Sequence, residues 1–224
     1  MEYSKAASPL TVRSGGLAAA ARRLTSWPSV VVGVVLAVTW GSFAIANFVS
    51  WRHTHHPTGL GASLIELTAA VFFVLRRPAR VTSSSYLAWG ATAVASFGML
   101  AARPGGEPIA GLESLWATLQ LLGWGLAVVC ISTLGRSFGL VAANRGIVTR
   151  GPYRLVRHPI YSCYLLTQIG YLLENPTTRN FAVIFGTVAF QLVRIRTEEQ
   201  CLVQDPEYAA YRGRVRWRLV PRVF

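Results

Sequence analysis

Six apolar runs, at about residues 29–50, 60–75, 86–101, 115–134, 160–173 and 181–193, constrain this chain more than any other feature. With hydrophobic residues at 52% and charged residues at 14%, it lies far from the soluble average. A lipid solvent admits helices or closed barrels as spanning structures, and runs of this length and continuity suit helices. Several runs are shorter than the roughly 20 residues of a straight crossing. The expected fold is therefore an all-α, polytopic integral membrane protein with five or six membrane segments. The last two runs flank Glu174-Asn175-Pro176 and form either two spans or a shallower helical hairpin.

Mean hydropathy is +0.40, yet the net charge is +13. A nucleic-acid binder would carry its basic residues along a soluble face; here they separate apolar runs. With a cytosolic N-terminus, only Arg52, Arg103 and Arg179 fall in outer loops, and the remainder of the 22 Lys and Arg lie inside. This split obeys the positive-inside rule and places both termini in the cytosol. Residues 1–28, rich in Ser, Ala and Gly, read as a mobile tail with an interfacial helix around 17–24. The first run starts late and is long enough to span, which favours an anchor over a cleaved signal. Residues 29–134 then form the N-terminal transmembrane helices, and residues 135–224 the part that carries chemistry.

The chain has no GxGxxG, P-loop or HExxH motif, so any nucleotide-like cofactor must be held by helix ends and loops. Cys130, Cys163 and Cys201 are far apart and odd in number, indicating neither a disulfide framework nor a thiolate metal site. In Arg157-His158-Pro159, the proline sits where a helix begins, its missing N–H being no loss there. The free N–H groups of such a turn attract an anion, a carboxylate for instance. The same tripeptide also suits a basic cap at the lipid headgroups. Arg194 and Glu198 share a helix face, as an ordinary i,i+4 pair would, while Glu199 is turned away by about 100°. Asp205-Pro206-Glu207 reads as an N-cap, Pro at the first position and an acidic first turn, opening a helix with Tyr208 and Tyr211. Those aromatics could cover a flat ring or anchor at the interface. Glu66 is an intramembrane acid and so a functional candidate. His53, His55 and His56 fall on an outer loop without a further metal ligand nearby, and no metal site is assigned. Small-residue spacings such as Ala91 and Ala95 occur in any packing seam and leave the oligomeric state open.

Taken together, RHPIYSC at 157–163, the glutamate pair at 198–199, GIVTRGPYR upstream, Asn175-Pro176 between them and EEQCLVQDPEYAAYRGRV downstream resemble the isoprenylcysteine carboxyl methyltransferase family. That family sits within a wider group including phospholipid methyltransferases. The resemblance runs from about Leu134 to Pro221, making 135–224 a methyltransferase core; Cys163 stands where the family usually has glycine. It implies S-adenosylmethionine in a cytosolic C-terminal pocket lined by Gly151, Pro152, Tyr153, His158, Pro159, Tyr161 and Glu199, with Tyr208 and Tyr211 closing it. It places Arg194 and Glu198 beside the reacting group of a lipophilic or prenylated substrate entering from the bilayer.

A carboxylate acceptor is already ionised and needs no base, so alignment and fixed electrostatics would carry the reaction. An amine or thiol must lose a proton, and Glu198 would be the nearest base. The sequence leaves these open, together with a sterol-type reductase using a nicotinamide cofactor and a non-enzymatic channel or binding protein.

Overall fold

The computed structural model describes residues 26–79, 81–83 and 85–223. Most of the expected tail, including the interfacial helix around 17–24, lies outside the described residues. Helices α1 (Ser26–Thr54) and α2 (Pro57–Leu75) form an antiparallel pair. The reversal is tight because His55 takes a left-handed φ of 52° and Pro57 opens α2 at a position where its lost N–H costs nothing. Polar side chains stitch the pair internally: Ser63 donates to the Ala44 carbonyl at 2.9 Å and Asn47 to Glu66 at 2.9 Å. Val31, Val35, Val38 and Ile45 of α1 stay more than half exposed. An outward apolar face of this kind suits lipid.

Helix α3 (Tyr86–Phe97) starts at Ser85, whose hydroxyl accepts from the Ala88 N–H, and runs into a 3-10 turn at Gly98–Ala101. Helix α4 (Glu113–Leu134) packs on α2 and on α5 (Pro159–Glu174). Ile65, Ala69 and Phe73 of α2, Ala127, Cys130 and Ile131 of α4, and Cys163 of α5 form the core with Phe138. Close approach of α4 and α5 depends on two glycines. A Cβ at Gly123 would lie 2.8 Å from the Cys163 carbonyl oxygen, and one at Gly170 would lie 2.7 Å from the Trp116 carbonyl oxygen. Space at this crossing thus comes from Gly123 on α4, while Cys163 fills its own position and brings its Sγ to 3.9 Å from that of Cys130. This packing ties the transmembrane helices to the C-terminal part across residue 134.

Helix α5 turns back into α6 (Thr178–Leu202) through Asn175 and Pro176. The fully buried Asn180 fixes the turn by donating to the Arg103 and Asn175 carbonyls, both at 2.9 Å, and accepting from the Arg103 N–H. Helix α7 (Pro206–Arg214) follows, N-capped by Asp205.

Among the described residues, three helices are long and apolar enough to cross a membrane, over Ser29–Thr54, Pro57–Leu75 and Glu113–Ser137. The run at 86–101 gives a shorter apolar helix, and the runs at 160–173 and 181–193 give the arms of the hairpin. Among the described residues the regular structure is helical apart from one short pairing: β1 (Val81–Thr82) runs antiparallel to β2 (Ala143–Asn144), Val81 opposite Asn144. Two residues per strand are too few for alternation to reveal. This clasp pulls the loop after α4 towards the loop after α2, over the end of the bundle where α5 begins and α6 ends.

Candidate functional site

Gly151 adopts a φ of +55°, a region that L side chains rarely occupy, and opens a 3-10 turn (Gly151–Arg154) with Pro152 in its first positions. The turn delivers Tyr153 into the interior, where Tyr211 Oη of α7 donates to its carbonyl at 2.7 Å. The chain after α7 then returns across the start of α5. Arg157 N–H donates to the Trp217 carbonyl and His158 N–H to the Arg218 carbonyl, both at 2.9 Å, and Ser162 Oγ donates to the Leu219 carbonyl at 2.6 Å. The N–H groups of Arg157 and His158 are therefore engaged by this returning strap.

Two carboxylates, adjacent in sequence, face different partners. Glu198 Oε1 accepts from Tyr161 Oη at 2.6 Å and from Arg194 Nε at 3.0 Å, and Oε2 lies 3.7 Å from His158 Nδ1. Arg194 is held further by Ser96 Oγ and the Leu140 carbonyl, and its guanidinium lies 5.4 Å from the Tyr161 ring centre, in cation–π range. Burial would lower the Arg194 pKa, but Tyr161 and Glu198 more than offset it and raise the value. Glu199 is 5% exposed and accepts from Arg157 Nε at 2.7 Å, His158 Nε2 at 3.2 Å and Arg218 Nε at 3.1 Å. Burial alone would raise its pKa; the hydrogen bonds from His158 and Arg157 outweigh that and hold it well below the ordinary carboxylate range. Burial pushes the Tyr153 and Tyr208 hydroxyls up and the Tyr211 hydroxyl to about 12, so all three are neutral donors at ordinary pH.

These groups border a cavity of about 530 Å³ that continues between α1, α2 and α4 past Trp40, Ile65, Phe73 and Trp124. Of the residues singled out in the sequence, Tyr153, His158, Tyr161, Tyr208 and Tyr211 line it, as do Arg194 and Glu198. Gly151, Pro152, Pro159 and Glu199 are not among its lining residues. The first three shape the turn and the helix start, and Glu199 sits behind the wall as the shared counter-charge of Arg157 and Arg218 and a hydrogen-bond partner of His158. Glu66 lines the cavity from α2, a candidate span, and accepts from Asn47. His53 and His55 are exposed, while His56 stacks on Trp116 with ring centres 5.6 Å apart and lies 3.4 Å from Glu174. Among the described residues no three His, Cys, Asp or Glu side chains converge as metal ligands.

The sequence reading gives Arg157 only a place in the basic tripeptide at a helix start; in the fold its buried guanidinium bonds Glu199 and the carbonyls of Val215 and Arg216. That reading does not mark Arg145, which lines the cavity, nor Asn144, whose Nδ2 donates to Asp205 Oδ2 at 2.7 Å and locks β2 to the cap of α7.

The fold and site define a helical membrane protein in which a charged pocket at one end of a hairpin opens into an apolar cleft between candidate spans. Residues 116–204 match the model of the isoprenylcysteine carboxyl methyltransferase (ICMT) family. The chain is 34% identical over 110 residues to the cobalt-zinc-cadmium resistance protein CzcN of Cupriavidus metallidurans, covering 46% of this chain and 50% of the relative. It is 34% identical over 122 residues to protein-S-isoprenylcysteine O-methyltransferase B of Arabidopsis thaliana, covering 47% and 60%. With methyltransferase A of the same plant it shares 41% over 93 residues, covering 35% and 46%. The chain thus spans about half the length of the curated relatives it matches.

Proposed function

We propose that this chain is an integral membrane methyltransferase that uses S-adenosylmethionine and acts on a lipophilic acceptor, with the carboxylate of an isoprenylcysteine-like molecule favoured. The observation that carries this reading is the Tyr161–Glu198–Arg194 cluster at the wall of a cavity whose other end is apolar and lies between candidate spans. A greasy tail would remain between α1, α2 and α4 while its polar head reaches the cluster. The arms α5 and α6, without or with the shorter apolar helix at 86–101, would add to the three candidate spans to make five or six membrane segments, with both termini and the charged end in the cytosol.

The pocket fits the cofactor in size and in chemistry. Tyr153, Tyr208 and Tyr211 offer ring faces and hydroxyls, and Tyr208 Oη is buried without a partner among the described residues, a donor in need of a guest. When bound, S-adenosylmethionine supplies a sulfonium methyl group open to in-line displacement. Arg194, fixed by Glu198, Ser96 Oγ and the Leu140 carbonyl, orients an acceptor carboxylate, and a rigid arrangement of this kind contributes by alignment rather than by proton transfer. Oε1 of Glu198 already accepts two hydrogen bonds, which suits it to hold Arg194 in place. Methylation of a lipid amine or a small thiol would instead assign it a proton.

The test is calorimetric titration of detergent-purified protein with S-adenosylhomocysteine, beside the Glu199→Ala variant and NADPH as control ligand. Saturable binding weakened in the variant, followed by methyl transfer to a prenylcysteine acid, is expected. No binding to folded protein would point to a channel or binding protein. Binding of NADPH alone would point to a reductase.

A further inference from the structure

Three arginines border the charged end of the cavity, and two of them are fully engaged. Arg157 has Glu199 and two carbonyls; Arg194 has Glu198, a hydroxyl and a carbonyl. Arg145 differs. Among the described residues no carboxylate lies within the 4.0 Å of an ion pair. Its Nε is buried without a hydrogen-bond partner, and Nη1 makes one contact at the limit of hydrogen bonding, 3.5 Å from the Val141 carbonyl. A buried guanidinium N–H left unmatched is costly, because the group has surrendered water without gaining an acceptor.

The surroundings nevertheless hold this arginine in place. Residue 144, beside it, is fixed three ways: by pairing with Val81, by donation to Asp205 and by accepting the Gly146 N–H. Gly139 provides the bed on which the guanidinium lies, since a Cβ there would come within 2.7 Å of Arg145 Cζ and 3.2 Å of Nε. Both Gly139 and Arg145 line the cavity, on the same side as Arg194, Glu198 and the tyrosines. Burial, then the neighbouring charge of Arg76, lower the Arg145 pKa to about 10 against the opposing pull of Glu198, which leaves it a full cation at neutral pH. Glu198 and Glu199 are matched to other cations, so neither serves as an ion-pair partner of Arg145.

We infer that Arg145, seated on Gly139, is a carboxylate-binding residue of this cavity. A planar guanidinium can meet a carboxylate through two parallel N–H bonds, a geometry that a lysine cannot reproduce. Resting on the methyltransferase reading, two carboxylates qualify: that of the cofactor's methionine end and that of a prenylcysteine-like acceptor. An amine acceptor would gain nothing from this residue.

The experiment compares wild type, Arg145→Gln and Gly139→Ala in detergent, each first verified as folded by thermal melting. Two ligand pairs are titrated: S-adenosylhomocysteine against 5′-methylthioadenosine, which lacks the amino-acid end, and N-acetyl-S-farnesylcysteine against its methyl ester. If Arg145 holds the cofactor, S-adenosylhomocysteine affinity falls by at least about tenfold in both variants while 5′-methylthioadenosine is unchanged. If it holds the acceptor, wild type prefers the free acid to the ester and the preference collapses in the variants. Either result supports the inference. Affinities unchanged within about twofold for both acids overturn it. A wild type that ignores S-adenosylhomocysteine yet prefers the farnesylated acid through Arg145 sinks the methyltransferase reading alone. One that binds neither acid sinks both.

Discussion

Tyr161 donates its hydroxyl to Glu198 at 2.6 Å and so joins the first turn of α5 to the last turns of α6, on the same oxygen that Arg194 grips. Tyr161→Phe keeps the ring under the Arg194 guanidinium and removes only this bond. A hydrogen bond to a charged group is worth about 1.5–3 kcal/mol, so methyl transfer should fall by about tenfold or more. S-adenosylhomocysteine affinity should hold nearly constant. Steady-state kinetics beside calorimetry checks the split, and an equal loss in both would assign Tyr161 to cofactor binding.

Arg194→Gln and Glu198→Gln should each lower kcat by about 100-fold or more, because they disturb the alignment of acceptor and methyl group. Both should leave S-adenosylhomocysteine binding largely intact. Turnover close to wild type in both variants would remove these residues from the reacting centre.

Glu199 has a different task. Its loss strands the charges of Arg157 and Arg218 beside His158, and breaking a buried pair of this kind costs roughly 3–5 kcal/mol. Glu199→Gln should therefore lower the melting temperature and weaken cofactor binding together, with a larger effect on melting than Tyr161→Phe.

The same residue sets an acid limit. Its folded-state pKa lies well below the ordinary 4.5, so its contribution is complete above about pH 4.5 and is lost as pH falls towards the depressed value. The difference in melting temperature between wild type and Glu199→Gln should be flat from pH 7 down to about 4.5 and shrink below it. A difference that widens on acidification would contradict the assignment.

Gly123→Ala tests the seam between α4 and α5. The added methyl would stand 2.5 Å from Thr167 Cγ2 and 2.8 Å from the Cys163 carbonyl oxygen, and a helix backbone cannot yield cheaply. A loss of about 1–3 kcal/mol is expected. Gly125→Ala, two residues away with no atom within 4 Å, should be neutral or slightly stabilising. Equal behaviour of the two variants would refute the packing argument.

The helices were legible because apolar runs and proline-led starts are local signals: Pro159 and Pro206 each open the helix expected of them. The Arg194–Glu198 pair was legible for the same reason, since i,i+4 spacing places two side chains together whatever surrounds them. The partners of Glu199 were not. Arg157 and Arg218 stand 42 and 19 residues away, and only the completed fold brings them to one carboxylate. Arg145 escaped notice because its significance lies in what it lacks, a partner, and in the bare Cα of Gly139 beneath it. The two-residue clasp that steadies its neighbour is shorter than any periodicity can register.

The strap across the start of α5 also fixes an order of events during synthesis. Arg157 leaves the ribosome 58 and 59 residues before the Val215 and Arg216 carbonyls that bind its guanidinium. Until those residues emerge, the Arg157 guanidinium has Glu199 but lacks the two carbonyls that complete its coordination. The pocket is therefore sealed late in translation, after the helices that form its walls have been made.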